Sequence, residues 1–256
     1  MASENEREIQ KLRNRFRDLA DKAYQQNMFT FTGFLGLSEQ DCFWRMEQEL
    51  KHAGYALHGG ADNTERQVIR FGSVEELGYE VPFPIACIHI KPLLTKFAEQ
   101  LSHRDFLGAL MNLGIERSTI GDIKVGDREA YLFCLESIAE YICDNLTQVK
   151  HTHVSCSQVE SCAEIPKEEP ETRTVQVASL RVDGLIAKVY NQSRSECLEL
   201  FRTGKVFVNG RLCENNSKAL KPGETINARG FGKFTLCGEP GETRKGKLSV
   251  SVEIYR

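Results

Sequence analysis

A chain of 256 residues is long enough for two or three domains of about 100–200 residues each. Its 41% apolar and 27% charged residues exclude collagen-like, low-complexity and wholly disordered chains. The formal charge of −3 leaves nucleic acid neither required nor excluded. No apolar run approaches the ~18 residues that would suggest a transmembrane helix, so no membrane span is expected. The opening MASENEREIQKLRNRFRDLADK has no apolar stretch, so no secretory leader is expected either. The nine cysteines are odd in number and form no C-x-x-C pair. They read as reduced thiols of a cytoplasmic protein. His151, His153, Cys156 and Cys162 are the nearest approach to a metal-ligand set. Their spacing is looser than the tight pairs that aim at one ion, so no metal is expected.

Residues 1–82 predict an N-terminal α+β unit. Ile9, Leu12, Phe16, Leu19 and Ala23 line one face of a helix over 5–26. Ser38 with Asp41 fits a capping box opening a second helix through Phe43, Trp44, Met46 and Leu50, which ends near Gly54. Strands near 55–58 and 68–71 flank a Gly59-Gly60 turn.

Residues 83–160 predict a ferredoxin-like β-α-β-β-α-β unit, a candidate RNA-binding unit. A strand over 85–90 precedes Ser102 and Asp105, a second capping box. The helix over 104–113 presents Phe106, Leu107, Leu110 and Met111, and Gly114 stops it. Strand-like runs at 119–125 and 130–135 join at Gly126-Asp127. Ser137 and Glu140 suggest a cap for a helix with Ile138, Tyr141, Ile142 and Leu146, and a last strand lies near 151–159. This plan hosts many unrelated functions, so it assigns none by itself.

Residues 161–174, SCAEIPKEEPETRT, are proline-rich and acidic and read as a linker. The charge changes sign across it. Residues 174–256 hold 14 Lys and Arg against 8 Asp and Glu, net +6, and the preceding residues 19 against 28, net −9. Such asymmetry points to nucleic-acid chemistry in the C-terminal part.

Residues 175–256 predict a small α+β domain. A helix over 180–190 is followed by a capping box at Ser193 and Glu196. The next helix, over 194–203, packs Leu198, Leu200 and Phe201 and ends at Gly204. Strands at 205–208 and 211–213 flank Asn209-Gly210, a hairpin signal. Pro222-Gly223-Glu224 turns into a strand at 225–228, and another follows at 234–236. In 247–256, Leu248, Val250, Val252 and Ile254 alternate with polar residues, predicting a half-buried strand whose edge is open to a partner strand.

Several spaced elements of this domain resemble the S-four RNA-binding domain: Arg181 and Asp183, Ser193-Arg194-Ser195, Gly204-Lys205-Val206, Val208-Asn209-Gly210 and Pro222-Gly223-Glu224. Upstream, HRDFLGALMNLGI at 103–115, Gly121-Asp122-Ile123, and Gly59-Gly60 with Glu65-Arg66 resemble the YlmH family. In the glycine-glycine segment that family usually carries a Tyr and an Ala-Glu-Arg, where this chain has Ala61 and Thr64-Glu65-Arg66. The resemblance spans nearly the whole chain.

The residues themselves give physical grounds for RNA contact. A reader of structured RNA needs donors on a rigid face. Arg194 opens a helix, where free N–H groups also favour phosphate. Lys205 and Arg211 are expected to share that face, Arg181 lies on the preceding helix, and Arg229 and Lys233 flank glycines that permit close approach. Ser195 and Asn209 join the candidate set through the S-four resemblance. His103 and Arg104, at a helix start, are candidate secondary contacts. Asp183 is expected to orient an arginine, Ser193 to cap, and Leu185, Leu198 and Val208 to be core.

Enzymatic signatures fail individually. His103-Arg104-Asp105 echoes a kinase catalytic loop, but position 110 is Leu where Asn is needed. Gly230-Phe231-Gly232-Lys233 has no helix predicted after it to bind a nucleotide. No catalytic residue and no cofactor is expected. The YlmH resemblance implies a non-catalytic protein of the bacterial cytoplasm. It would dock on rRNA and tRNA of large ribosomal subunits carrying obstructed peptidyl-tRNA, in ribosome-associated quality control. The alternative it implies is a cell-division adaptor with a protein partner on residues 1–173. An RNA-modifying enzyme is the third reading.

Overall fold

The computed structural model describes residues 4–95, 98–159, 170–243 and 246–255. The chain divides into two compact units, Met1–Pro166 and Lys167–Arg256.

The first unit begins with α1 (Glu4–Gln26), β1 (Thr30–Phe31), α2 (Leu37–Leu50), β2 (Tyr55–His58), β3 (Val68–Phe71) and the short α3 (Val74–Leu77). Antiparallel strands in the order β1-β3-β2 receive the two long helices on one face. Phe16, Ala20 and Ala23 of α1 and Phe43, Met46 and Leu50 of α2 meet Ile69 and Phe71 there. Ile9, expected on the apolar stripe of α1, is 38% exposed because it lies in the part of the helix that precedes this contact. The cap of α2 is Gly36, whose N–H donates to the Glu39 carboxylate at 2.6 Å. Ser38 and Asp41 are therefore inside the helix, where Asp41 accepts from Arg45 at 2.8 Å instead.

The unit continues with β4 (Ile85–Pro92), α4 (His103–Asn112), β5 (Ile120–Val125), β6 (Ala130–Leu135), α5 (Glu136–Asn145), β7 (Gln148–Val149) and β8 (Thr152–Val159). The sheet order β5-β6-β4-β8, all antiparallel, is the ferredoxin-like arrangement the sequence predicts, with β7 added at the edge. Ile88, Ile90, Leu132 and Cys134 face Phe106 and Leu110 of α4 and Ala139 and Ile142 of α5. The cap predicted at Ser137 is absent. β6 runs directly into α5, Leu135 is the flanking residue, and Ser137 is already helical. Tyr141 lies outside the core, 47% exposed, its hydroxyl 3.3 Å from the Leu113 carbonyl.

The opposite face of this sheet is not open. Cys87, Tyr131 and Phe133 form one buried cluster with Phe34 and Val68 from the N-terminal region. Regions 1–82 and 83–160, expected as separate units, thus share a core. Two glycines make the approach possible. A Cβ on Gly121 would come within 2.6 Å of the Phe34 ring, and one on Gly60, at φ +99°, within 2.3 Å of Phe133.

The second unit contains β9 (Glu171–Val177), α6 (Val182–Tyr190), α7 (Arg194–Arg202), β10 (Val206–Val208), β11 (Arg211–Leu212), β12 (Thr225–Ala228), β13 (Gly232–Glu242) and β14 (Leu248–Tyr255). The antiparallel order is β11-β10-β12-β13-β14-β9. Leu185, Ile186 and Val189 of α6 and Cys197, Leu200 and Phe201 of α7 cover one face of the sheet, against Val206, Val208, Ile226, Phe234 and Val252. Leu198 is 48% exposed rather than core, because the face of α7 that meets the sheet carries its neighbours at 197, 200 and 201.

Two expectations change here. Residues 171–174, assigned to the linker by composition, are strand: they pair with β14 from Thr174↔Ser251 to Glu171↔Ile254. The rest of that linker up to 169 lies outside the described residues. In consequence the C-terminal strand has no open edge, since β14 is held between β13 and β9.

Candidate nucleic-acid interface

In antiparallel sheets, paired residues share a face. Phe207, Asn227, Lys233 and Tyr255 pair in one continuous row across β10, β12, β13 and β14. Their neighbours Val206, Val208, Ile226 and Phe234 point at the helices, so this row occupies the other face. Lys205 and Arg229 extend it: the Arg229 N–H donates to the Lys205 carbonyl at 2.9 Å. The Arg229 guanidinium lies 5.1 Å from the Phe207 ring centroid and the Lys233 ammonium 4.9 Å from that of Tyr255. Phe207 is 1% exposed, whereas Lys205 and Arg229 are exposed. The ring holds the exposed Arg229 guanidinium in place while leaving it N–H donors to offer. Three cations on one sheet face, two of them braced by aromatic rings, are suited to phosphate oxygens. Sequence reading missed Phe207 and Tyr255. The period-2 alternation around Val206 and Val208 is the signal that could have placed Phe207 on this face.

Arg194 is the first residue of α7 and is exposed, with no ion pair among the described residues. Ser193 and Glu196 form the predicted capping box. The Ser193 N–H and hydroxyl donate to the Glu196 carboxylate at 2.8 and 2.7 Å, and the Glu196 N–H donates to Ser193 Oγ at 3.3 Å. The Ser193 side-chain and backbone donors hold the Glu196 carboxyl below its usual range. Ser195 is exposed, its hydroxyl 3.0 Å from that of Ser193.

The single face expected for Arg194, Lys205 and Arg211 does not form. Arg194 opens α7 and Lys205 lies beyond its other end, with a helix about 14 Å long at ~1.5 Å per residue between them, and Lys205 belongs to the sheet face away from the helices. Arg211 pairs with Val208 and so leaves the sheet on the helix side.

Two further candidates have partners within the fold. Arg181 grips Asp183 at 3.0 and 2.6 Å, as the sequence suggested. Asp183 also accepts from the Gly184 N–H at 2.7 Å and from Asn216 at 3.1 Å. The Arg181 bond, foremost, holds its carboxyl below the usual range. The Asn209 carboxamide accepts the Thr225 N–H at 2.9 Å and donates to Glu224 at 3.4 Å. With Asn209 at φ +51° and Gly210 at +75°, this is a tight hairpin braced from within.

In the first unit, His103 and Arg104 open α4 above the predicted cap. The Ser102 N–H and hydroxyl donate to Asp105 at 2.8 and 2.7 Å, and Lys150 pairs with the same carboxylate at 2.9 Å. Partial desolvation and then the Arg117 charge lower the His103 pKa, against Asp122 and Glu65, which raise it.

The family-like segments at 59–66 and 121–122 meet at the shared core. Asp122 accepts the N–H groups of Glu65 and Arg66 at 2.6 and 3.0 Å. Arg66 in turn donates to the carbonyls of Ile120, Phe34 and Arg117 at 2.9, 2.8 and 3.1 Å. Burial, then the Arg66 charge, lowers the Arg117 pKa to about 10. These motif residues tie two layers together and point their donors inward.

Among the described residues, no three His, Cys, Asp or Glu side chains cluster as metal ligands. Of the candidate ligands, Cys162 lies outside the described residues, and burial pushes the Cys156 thiol up to about 12. No helix among the described residues is long and apolar enough to cross a membrane.

A solved structure, that of the cell division protein ylmH from Streptococcus pneumoniae, is similar at a TM-score of 0.47 and 20% identity, over 65% of this chain and 98% of that one. Residues 80–163 match the family model described as "Putative RNA-binding domain in YlmH". The "Ribosome-associated protein quality control protein P2" of Bacillus subtilis (strain 168) is 31% identical over 201 residues, 78% of this chain and 77% of that protein. By this last match, extending through both units, the chain belongs to the YlmH family.

Proposed function

We propose that this protein is a non-catalytic RNA-binding factor of the bacterial cytoplasm that docks on rRNA and tRNA of the large ribosomal subunit during quality control of obstructed translation. The observation that carries the reading is the row of Phe207, Asn227, Lys233 and Tyr255 with Lys205 and Arg229 beside it. Its cations meet phosphate in a rigid arrangement, and Arg194 at the start of α7 supplies a second contact at the end of that helix remote from Lys205. The name of the Bacillus relative supports the ribosomal setting. The buried Cys134 thiol and the half-buried Cys156 thiol are pushed up to about 12 and are protonated at neutral pH, which speaks against thiolate chemistry there.

Crosslinking the tagged protein in cells and sequencing the attached RNA tests the proposal. Crosslinks on large-subunit rRNA and on tRNA, lost together in a Lys205→Ala, Arg229→Ala variant, are the expected result. Scattered background RNA overturns it.

A further inference from the structure

A groove of about 550 Å³ runs along α4, away from the shared core. Arg104, Gly108 and Asn112 form one wall, spaced four residues apart and hence on one stripe of the helix. Asn145, Gln148 and Lys150 stand on the other. The Lys150–Asp105 ion pair at 2.9 Å bridges the two walls.

Gly108 is the unexplained residue. Glycine is the poorest helix former after proline, and it interrupts the middle of a ten-residue helix. Nothing in the fold requires it: an added Cβ would meet no atom within 4 Å. The other glycine in a described helix, Gly184, lies in the first turn of α6. A bare backbone in the wall of a groove permits something outside the fold to approach closely.

The lining names the chemistry. Arg104 and Asn112 are exposed donors, and Lys150 adds N–H donors while its charge is balanced by Asp105, which also lines the groove and leaves Arg104 as the net positive group. The Asn145 and Gln148 amide groups already donate to the carbonyls of Tyr141 and Lys150, at 2.8 and 2.7 Å, which aligns their oxygens as acceptors. Donors suit phosphate oxygens, and acceptors suit the 2′-hydroxyl that marks RNA. No aromatic ring lines the groove, so it is not built to stack bases.

We infer that the groove between α4 and the 145–150 segment holds a sugar-phosphate strand of RNA, seated against Gly108. The inference rests on the RNA reading above and deepens it by assigning one groove, and the strand it takes, within the stretch 80–163 that matches the RNA-binding family model. It also gives the HRDFLGALMNLGI segment a role that its capping and core residues do not explain.

The test measures binding of the full chain to a labelled RNA hairpin with a single-stranded tail. Gly108→Leu should weaken binding about tenfold while leaving Tm unchanged or higher, since Leu favours helix and projects into the groove. Arg104→Gln should weaken it about threefold and reduce the slope of log affinity against log salt by about 0.7–0.9. If both variants bind as the unaltered chain does, while Lys205→Ala with Arg229→Ala loses affinity, the groove proposal is overturned and the RNA reading stands. Loss of a co-purifying protein with RNA affinity unchanged also overturns it. If the unaltered chain does not bind the hairpin, both fall.

Discussion

The guanidinium of Arg229 lies over the ring of Phe207, 5.1 Å from its centroid, while the backbone of Arg229 is hydrogen-bonded to Lys205. The pairing fixes a cation on the sheet face opposite the helices. It also accounts for a large apolar side chain on the side of β10 that faces away from the main core. Arg229→Gln should lower RNA affinity and reduce the log–log salt slope by about one unit, with a stability loss of only about 0.5–1 kcal/mol. Arg229→Lys keeps the charge but not the planar stack, so it should recover most of the slope and less of the affinity. Titrations at three salt concentrations, with urea denaturation alongside, check both. An unchanged slope in Arg229→Gln removes the residue from the interface.

A second prediction concerns Asp122, which accepts two backbone N–H groups from the 65–66 segment beside Arg66 and Arg117. Asp122→Ala leaves those donors unpaired and removes the charge opposing the two arginines. The expected cost is about 2–3 kcal/mol, read as a lower urea midpoint of the first unit. Asp122→Asn keeps one acceptor and should lie between. An Asp122→Ala midpoint equal to that of the unaltered chain refutes the structural role of this motif.

Much of the fold was legible because it is locally encoded. Ser102 with Asp105, Ser193 with Glu196, and Asn209-Gly210 each act within a few residues, and the structure uses all three as read. The errors arise where distant partners decide. Ser38 looked like a cap, yet the helix had already begun at Leu37. Thr172 and Thr174 looked like linker, yet β14 recruits them from about eighty residues away. For the candidate site, residue type was informative and direction was not. The basic residues could be named from the sequence, but which face carries Arg211 depends on its register with Val208. Asn209 was named as an RNA contact, and the structure gives its side chain a hairpin role besides, because the same residue type serves turns and recognition.

Acid sensitivity should centre on Asp105. The Ser102 backbone and side-chain donors, then Lys150, lower its carboxyl to about 2. A carboxylate depressed on folding contributes stability that is present above its unfolded value near 4 and lost as pH falls through its folded value near 2. Between about pH 4 and 2 the unaltered chain should therefore lose stability more steeply than Asp105→Asn. Thermal melts across that range, compared between the two proteins, measure the difference. Parallel curves would show that the Asp105 interactions are not retained in solution.

Asn209 separates a structural from a recognition role. Its side chain ties the hairpin to β12 through Thr225 and Glu224, and its backbone is held at φ +51°. Alanine removes both hydrogen bonds and is strained in the left-handed region, so Asn209→Ala should cost about 1–3 kcal/mol. Asn209→Gly relieves the strain but not the lost bonds and should cost less. Neither removes a charge, so the salt slope of RNA binding should match that of the unaltered chain. Loss of RNA affinity in Asn209→Gly at full stability would instead make Asn209 a direct contact and shift the interface toward the β10–β11 turn.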